Sequence, residues 1–135
     1  MIRRQMGPVA ALATLGLLAA GCSTSDEPEE LTAHITIHVQ KTPKSPEKTA
    51  VLICPGRKPI ERDVCAALDV VAPGVFQKVG ENRVCTMIYG GPATATMRGT
   101  YDDGLVNATF NQANGCEIGR WNQVLPVFKS LGLAS

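Results

Sequence analysis

The chain has 135 residues, 44% of them hydrophobic and 19% charged, which suits one compact domain and excludes a TIM barrel or a two-domain dehydrogenase. Without Arg3 and Arg4, which precede an apolar N-terminal run, 11 basic side chains stand against 12 acidic ones, and a net charge of −1 gathers no nucleic acid. Aromatic residues make up 4%, and Trp121, Tyr89, Tyr101 and three phenylalanines lie scattered along the chain, so no base-stacking platform is expected.

Residues 7–20 (GPVAALATLGLLAA) form an uncharged, largely apolar run after the two arginines. The layout is that of an export signal. A run this short does not comfortably span hydrocarbon, which takes about 20 residues of helix. Leu18-Ala19-Ala20-Gly21-Cys22 resembles a bacterial lipobox, which implies cleavage after residue 21 and lipidation of Cys22, with Ala19 where leucine is commoner. Residues 23–30 (STSDEPEE) are polar and acidic and read as an unfolded spacer. The expected organisation is a signal peptide over 1–21, lipidated Cys22 with its tether over 22–30, and one domain over 31–135. The protein is thus expected outside the cytoplasm, lipid-anchored to the outer face of the cell membrane or secreted.

Leu31 to Gln40 (LTAHITIHVQ) alternates strictly and predicts a half-buried strand with Leu31, Ala33, Ile35, Ile37 and Val39 inward. The two prolines of Lys41 to Lys48 predict a turn, and Thr49 to Cys54 a second, more fully buried strand. Residues 60–71 place Val64, Leu68 and Val71 at helical spacing, with Asp63 available as a cap. A third apolar segment, Val84 to Tyr89, ends at Gly90-Gly91-Pro92. Ala93 to Tyr101 and Leu105 to Gln112 predict a hairpin around Asp102-Asp103-Gly104, with Gly104 taking positive φ. Asn114-Gly115-Cys116 reads as a turn, and Glu117 to Phe128 as a mixed segment whose Pro126 limits any helix. The sum is a small α+β domain with about five antiparallel strands and one or two short helices.

Several residues invite a chemical reading and have a plainer one. His34 and His38 stand four apart, which is zinc-ligand spacing on a helix; on a strand they lie about 13 Å apart, on a solvent face. Asp102 and Asp103 form a carboxylate pair, but their place between two alternating strands makes them turn residues. The chain holds no nucleophile elbow, HExxH, Walker loop or GxGxxG, so neither enzymatic chemistry nor a metal or cofactor is expected.

With Cys22 assigned to lipid, Cys54, Cys65, Cys85 and Cys116 remain. An even number in an oxidising compartment predicts two disulfides, with three pairings open and no CxxC spacing for zinc or redox work. Cys54 through Cys65 with its helix, Val84-Cys85-Thr86-Met87-Ile88-Tyr89 with a proline shortly after, and Asn114-Gly115-Cys116-Glu117 together resemble the Streptomyces subtilisin inhibitor family. The resemblance covers roughly residues 31–118 and implies the sequential pairing, Cys54 with Cys65 and Cys85 with Cys116. Such bridges are worth roughly 3 kcal/mol each in the chain-entropy account.

The resemblance further implies a standard-mechanism inhibitor of subtilisin-like serine proteases. Its reactive bond would be Met87 (P1) to Ile88 (P1′), flanked by Cys85 (P3), Thr86 (P2) and Tyr89 (P2′), and Asn114 would support the loop by a hydrogen bond. An unbranched apolar methionine suits the large hydrophobic S1 pocket of subtilisins and chymotrypsin-like enzymes, whereas trypsin's pocket would leave its carboxylate unpaired. The expected partners are such a protease, the membrane through the lipid, and a second copy through the sheet, as in soluble relatives. Two positions depart from the family: Thr86 replaces a usual proline, and Gly90-Gly91-Pro92 replaces Asp-Pro. Both fit an alternative, a non-inhibitory cell-surface lipoprotein that uses the fold as a binding module.

Overall fold

The computed structural model describes Gly21 and residues 29–135; the export signal, Cys22 and most of the tether fall outside the described residues. Its elements run β1 (Ala33–Gln40), β2 (Lys48–Cys54), α1 (Pro59–Val71), a 3-10 turn (Gly74–Phe76), β3 (Thr94–Tyr101), β4 (Gly104–Phe110) and α2 (Gly115–Ser130). The strands form one antiparallel sheet in the order β2-β1-β3-β4, so the protein is an α+β domain. No helix among the described residues is long and apolar enough to cross a membrane.

The strand register explains the core. Ile35 pairs with Leu52, Ile37 with Met97, and Met97 with Ala108, so the inward residues of four strands share one face. Ile35, Ile37 and Met97 are fully buried there. Outward positions of β1 and β3, among them His34, Thr36, Thr96 and Arg98, line the open face. β2 is an edge strand, and its own alternation buries Leu52 and Cys54 but leaves Val51 and Ile53 largely exposed, so it is less buried than its composition suggests.

The helices cover the apolar face. α1 begins at Pro59, where the missing N–H costs nothing, and the Glu61 carboxylate accepts from the backbone N–H groups of Arg57 and Lys58 at 2.9 and 3.0 Å. Asp63 therefore lies inside α1 and does not cap it. Val64, Cys65 and Leu68 face the core, and the Cys54–Cys65 disulfide staples α1 to the end of β2. The second bridge joins Cys85 and Cys116. Both pairs are those that the resemblance implies, and both fit an oxidising environment.

Three elements differ from expectation. The sheet has four strands, because Val84 to Tyr89 pairs with no neighbour. Asn114 does not open a turn but caps α2, a helix of 16 residues that carries Pro126 in its interior. Pro126 leaves the carbonyl of Asn122 without its intrahelical donor, but both residues lie on the exposed side, where water supplies one. Burial of Trp121, Val124, Val127 and Phe128 on the opposite side holds the helix together. In the β3–β4 hairpin Tyr101 pairs with Gly104, and Asp102, at φ 48°, takes the left-handed position instead of Gly104.

Tyr101 ties the hairpin to α1 by donating its hydroxyl hydrogen to Asp69 Oδ1 at 2.8 Å. Burial, and then this hydrogen bond and the Asp69 charge, push its pKa up to about 12, above the ordinary value of 10.0. The folded state thus favours the neutral phenol, a contribution fully present below pH 10.0 and lost as pH rises through about 12. Chemical denaturation across that window should show stability falling, and Tyr101→Phe should flatten the decline; an unchanged decline in the variant would remove Tyr101 as its cause.

Candidate functional site

Between the 3-10 turn and β3 runs a long connection, and residues 84–89 within it belong to no helix or strand. Apolar side chains stand in water here. Val84 is 96% exposed, Met87 93%, Ile88 59% and Tyr89 68%. A chain that buries three phenylalanine- and tryptophan-sized rings in contact, Phe110, Phe128 and Trp121, leaves this cluster outside its core.

The stretch is fixed at both ends to one short platform, residues 112–118. On the N-terminal side Cys85 is bonded to Cys116, with 5.4 Å between their Cα atoms, and Gly115 N–H donates to the Thr86 carbonyl at 2.9 Å. Gly115 is the first residue of α2, so this N–H is one of the donors a helix start leaves free. A Cβ on Gly115 would meet the Thr86 hydroxyl, so the loop in this position lies close against the start of α2, and a larger residue there would require the Thr86 side chain to turn away. On the C-terminal side Gly90 N–H donates to the Gln112 carbonyl at 2.8 Å. Met87, Ile88 and Tyr89 span the gap between these anchors.

Comparison with family models, with curated proteins and with solved structures finds no match. The geometry of the loop and its platform therefore carries the functional argument.

Asn114 occupies the platform itself. Its Oδ1 accepts from Glu117 N–H at 3.0 Å and so sets the start of α2, while the hydrogen bonds that reach the loop come from the main chain at Gln112 and Gly115, either side of it. Asn114 acts on the loop by placing Gly115 and Cys116. The platform in turn rests on Arg120. Its guanidinium donates to Glu117 Oε2 at 2.8 Å, to the Thr109 carbonyl at 3.2 Å and to the Val75 carbonyl at 3.1 Å, and lies 4.8 Å from the centre of the Phe110 ring. One largely buried side chain thereby joins α2, β4 and the 3-10 turn beneath the loop.

The sequence reading gave Gln112, Gly115, Ile118 and Arg120 no part in the site. A signal for Gly115 existed: Asn114 three residues before Glu117 is a helix-start pattern, hidden by reading Asn-Gly as a turn. Beside the loop opens a recess of about 510 Å³ whose lining includes Lys78, Arg83 and Arg120 but no carboxylate or imidazole. Such a lining suits contact with anions better than proton transfer.

The other candidates resolve into structure. His34 and His38 point to the open face of the sheet, and His38 Nδ1 lies 2.8 Å from Glu47 and 2.9 Å from the Thr49 hydroxyl. Among the described residues no three metal-binding side chains gather. Asp102 and Asp103 form the two-residue tip of the hairpin, where the Asp102 N–H donates to the Thr32 carbonyl.

Proposed function

We propose that the protein is a standard-mechanism serine protease inhibitor, a lipid-anchored relative of the Streptomyces subtilisin inhibitors, with Met87–Ile88 as its reactive bond. One observation carries the reading: Met87, the residue that would enter the protease's specificity pocket, is 93% exposed on a stretch whose preceding two residues are tied to α2 by the Cys85–Cys116 bridge and the Gly115–Thr86 hydrogen bond.

The chemistry follows from that arrangement. An extended loop adds to the protease cleft as a strand, so main-chain hydrogen bonds supply affinity and Met87 fills S1. Because the loop is held in shape before binding, little entropy is lost on association. Cys85 and Thr86 stay attached to the domain after acylation, so the acyl group remains positioned for resealing. Ile88 and Tyr89 occupy the leaving side. Cys22, acylated, would hold the domain at the outer face of the membrane, and the open sheet face that bears Val51 and Ile53 would meet a second copy.

A second reading, a non-inhibitory surface lipoprotein, draws on Thr86 and Gly90-Gly91, which stand where the subtilisin inhibitors have a proline and Asp-Pro. Titrating subtilisin and chymotrypsin with the oxidised protein, with mass spectrometry of each mixture, separates the two. The inhibitor reading expects stoichiometric loss of protease activity and slow, partial cutting between Met87 and Ile88. Rapid complete cutting there, or no interaction with either enzyme, would leave the surface binding module.

A further inference from the structure

Gly90-Gly91 looks like a loosening of the loop, yet Gly90, exposed on its outer side, lies close against the platform on its inner one. Its N–H donates to the Gln112 carbonyl at 2.8 Å, and a Cβ added to it would lie 2.9 Å from Ile118 Cγ1 and 3.0 Å from both Cβ and Oε1 of Gln112. Gly90 has no left-handed φ, so what it provides at this position is the missing side chain that lets its backbone press against the platform. The turn toward β3 falls to Gly91, at φ 127°.

We infer that Gly90 is a positioning residue for the reactive bond: it anchors the leaving side to the platform that also holds the acyl side, and so makes the cut bond resealable. The inference rests on the inhibitor reading and adds a residue to it. In the forward step the protease serine oxygen bonds to the Met87 carbonyl carbon, the carbon–nitrogen bond to Ile88 breaks, and the nitrogen takes the serine's proton. In resealing, the Ile88 amine attacks the acyl carbon, the carbon–oxygen bond breaks, and the proton returns to the serine oxygen. Water competes for the same carbon, giving a Met87 carboxylate.

Which wins depends on how closely the amine is kept. Gly90 lies two residues beyond Ile88, a reach of about 7 Å. Without that anchor the next fixed point is the start of β3 at Thr94, six residues away and a reach of about 20 Å. The volume open to the amine grows with the cube of the reach, so its effective concentration at the acyl carbon drops roughly 20-fold.

The test compares wild type, Gly90→Ala and Gly90→Ala with Ile118→Ala, all as oxidised full chains, against subtilisin. Readouts are the lifetime of inhibition, the equilibrium ratio of cut to intact chain by mass spectrometry, exchange of the residue 90 amide hydrogen and thermal unfolding. Gly90→Ala is expected to fold, to inhibit at first, and then to be cut and released faster than wild type, by up to roughly 20-fold where the anchor is lost altogether, with its amide exchanging faster. Removing Ile118 Cγ1 should restore much of the lifetime, a rescue that general destabilisation does not give. Lasting inhibition by Gly90→Ala with an unchanged cut-to-intact ratio, or a residue 90 amide in wild type that exchanges as in free chain, overturns the inference and leaves the inhibitor reading standing. Wild type cut and released without inhibition overturns both.

Discussion

Met87→Gly is expected to weaken inhibition of subtilisin by about 100- to 1,000-fold while leaving the fold intact. In the free protein the methionine side chain is 93% exposed and packs on nothing, so its removal should shift unfolding free energy by less than about 0.5 kcal/mol. On binding, the side chain would pass from water into a specificity pocket, a transfer worth about 2–3 kcal/mol. Glycine also widens the loop's conformational range and adds entropy to be lost on docking. Progress curves of subtilisin activity against inhibitor concentration, with thermal unfolding alongside, test this. Equal inhibition by the variant would move the contact elsewhere, with Val84 and Tyr89 the next most exposed apolar residues of this loop. Met87→Lys gives the converse: trypsin, whose pocket carries a carboxylate, should become a target.

Removing the Cys85–Cys116 bridge, as Cys85→Ser with Cys116→Ser, should have the second large effect and should strike stability and inhibition together. The bridge spans 31 residues, and a loop of that size is worth about 3–4 kcal/mol in the unfolded-state account. It also holds the residue two before Met87 against the first turn of α2. Without it the Gly115–Thr86 hydrogen bond alone tethers the acyl side, and a single such bond contributes about 1 kcal/mol. The expected outcome is a lower denaturation midpoint and conversion from inhibitor to substrate.

The Cys54–Cys65 pair provides the comparison, since it spans 11 residues and touches only β2 and α1. Its removal should cost about 3 kcal/mol but, below the unfolding transition, leave inhibition in place. Loss of inhibition in both double variants at a temperature where both remain folded would argue against a local role for Cys85 and Cys116.

Much of the architecture was legible because it is written locally. Strict alternation from Leu31 to Gln40 dictates which side chains a strand turns inward, and Ala33, Ile35, Ile37 and Val39 are buried, whereas Leu31, expected inward too, precedes β1 and is 58% exposed. Helical spacing at Val64 and Leu68 marks the inner face of α1 in the same way. The reading failed where a residue's local meaning was outweighed by packing. Pro126 was expected to limit a helix, but the burial of Trp121, Val124, Val127 and Phe128 on the far side outweighs one lost hydrogen bond whose carbonyl faces water. Asn114-Gly115 has turn chemistry, yet Glu117 N–H takes the asparagine oxygen and a helix begins.

By itself the sequence determined the α+β class, the inward face of β1 and α1 and the location of the hairpin, because each depends on residues within a few positions of one another. Only the tertiary structure decided that Val84 to Tyr89 stays out of the sheet, and that Gln112, Gly115 and Ile118 lie against Gly90 and Thr86. Those neighbours are more than twenty residues apart in the chain, and what brings them together is the docking of α2 through Arg120 on β4 and the 3-10 turn. No local pattern encodes a contact made by two main chains across that distance, so the loop's rigidity, on which inhibition would depend, appears only once the fold has closed.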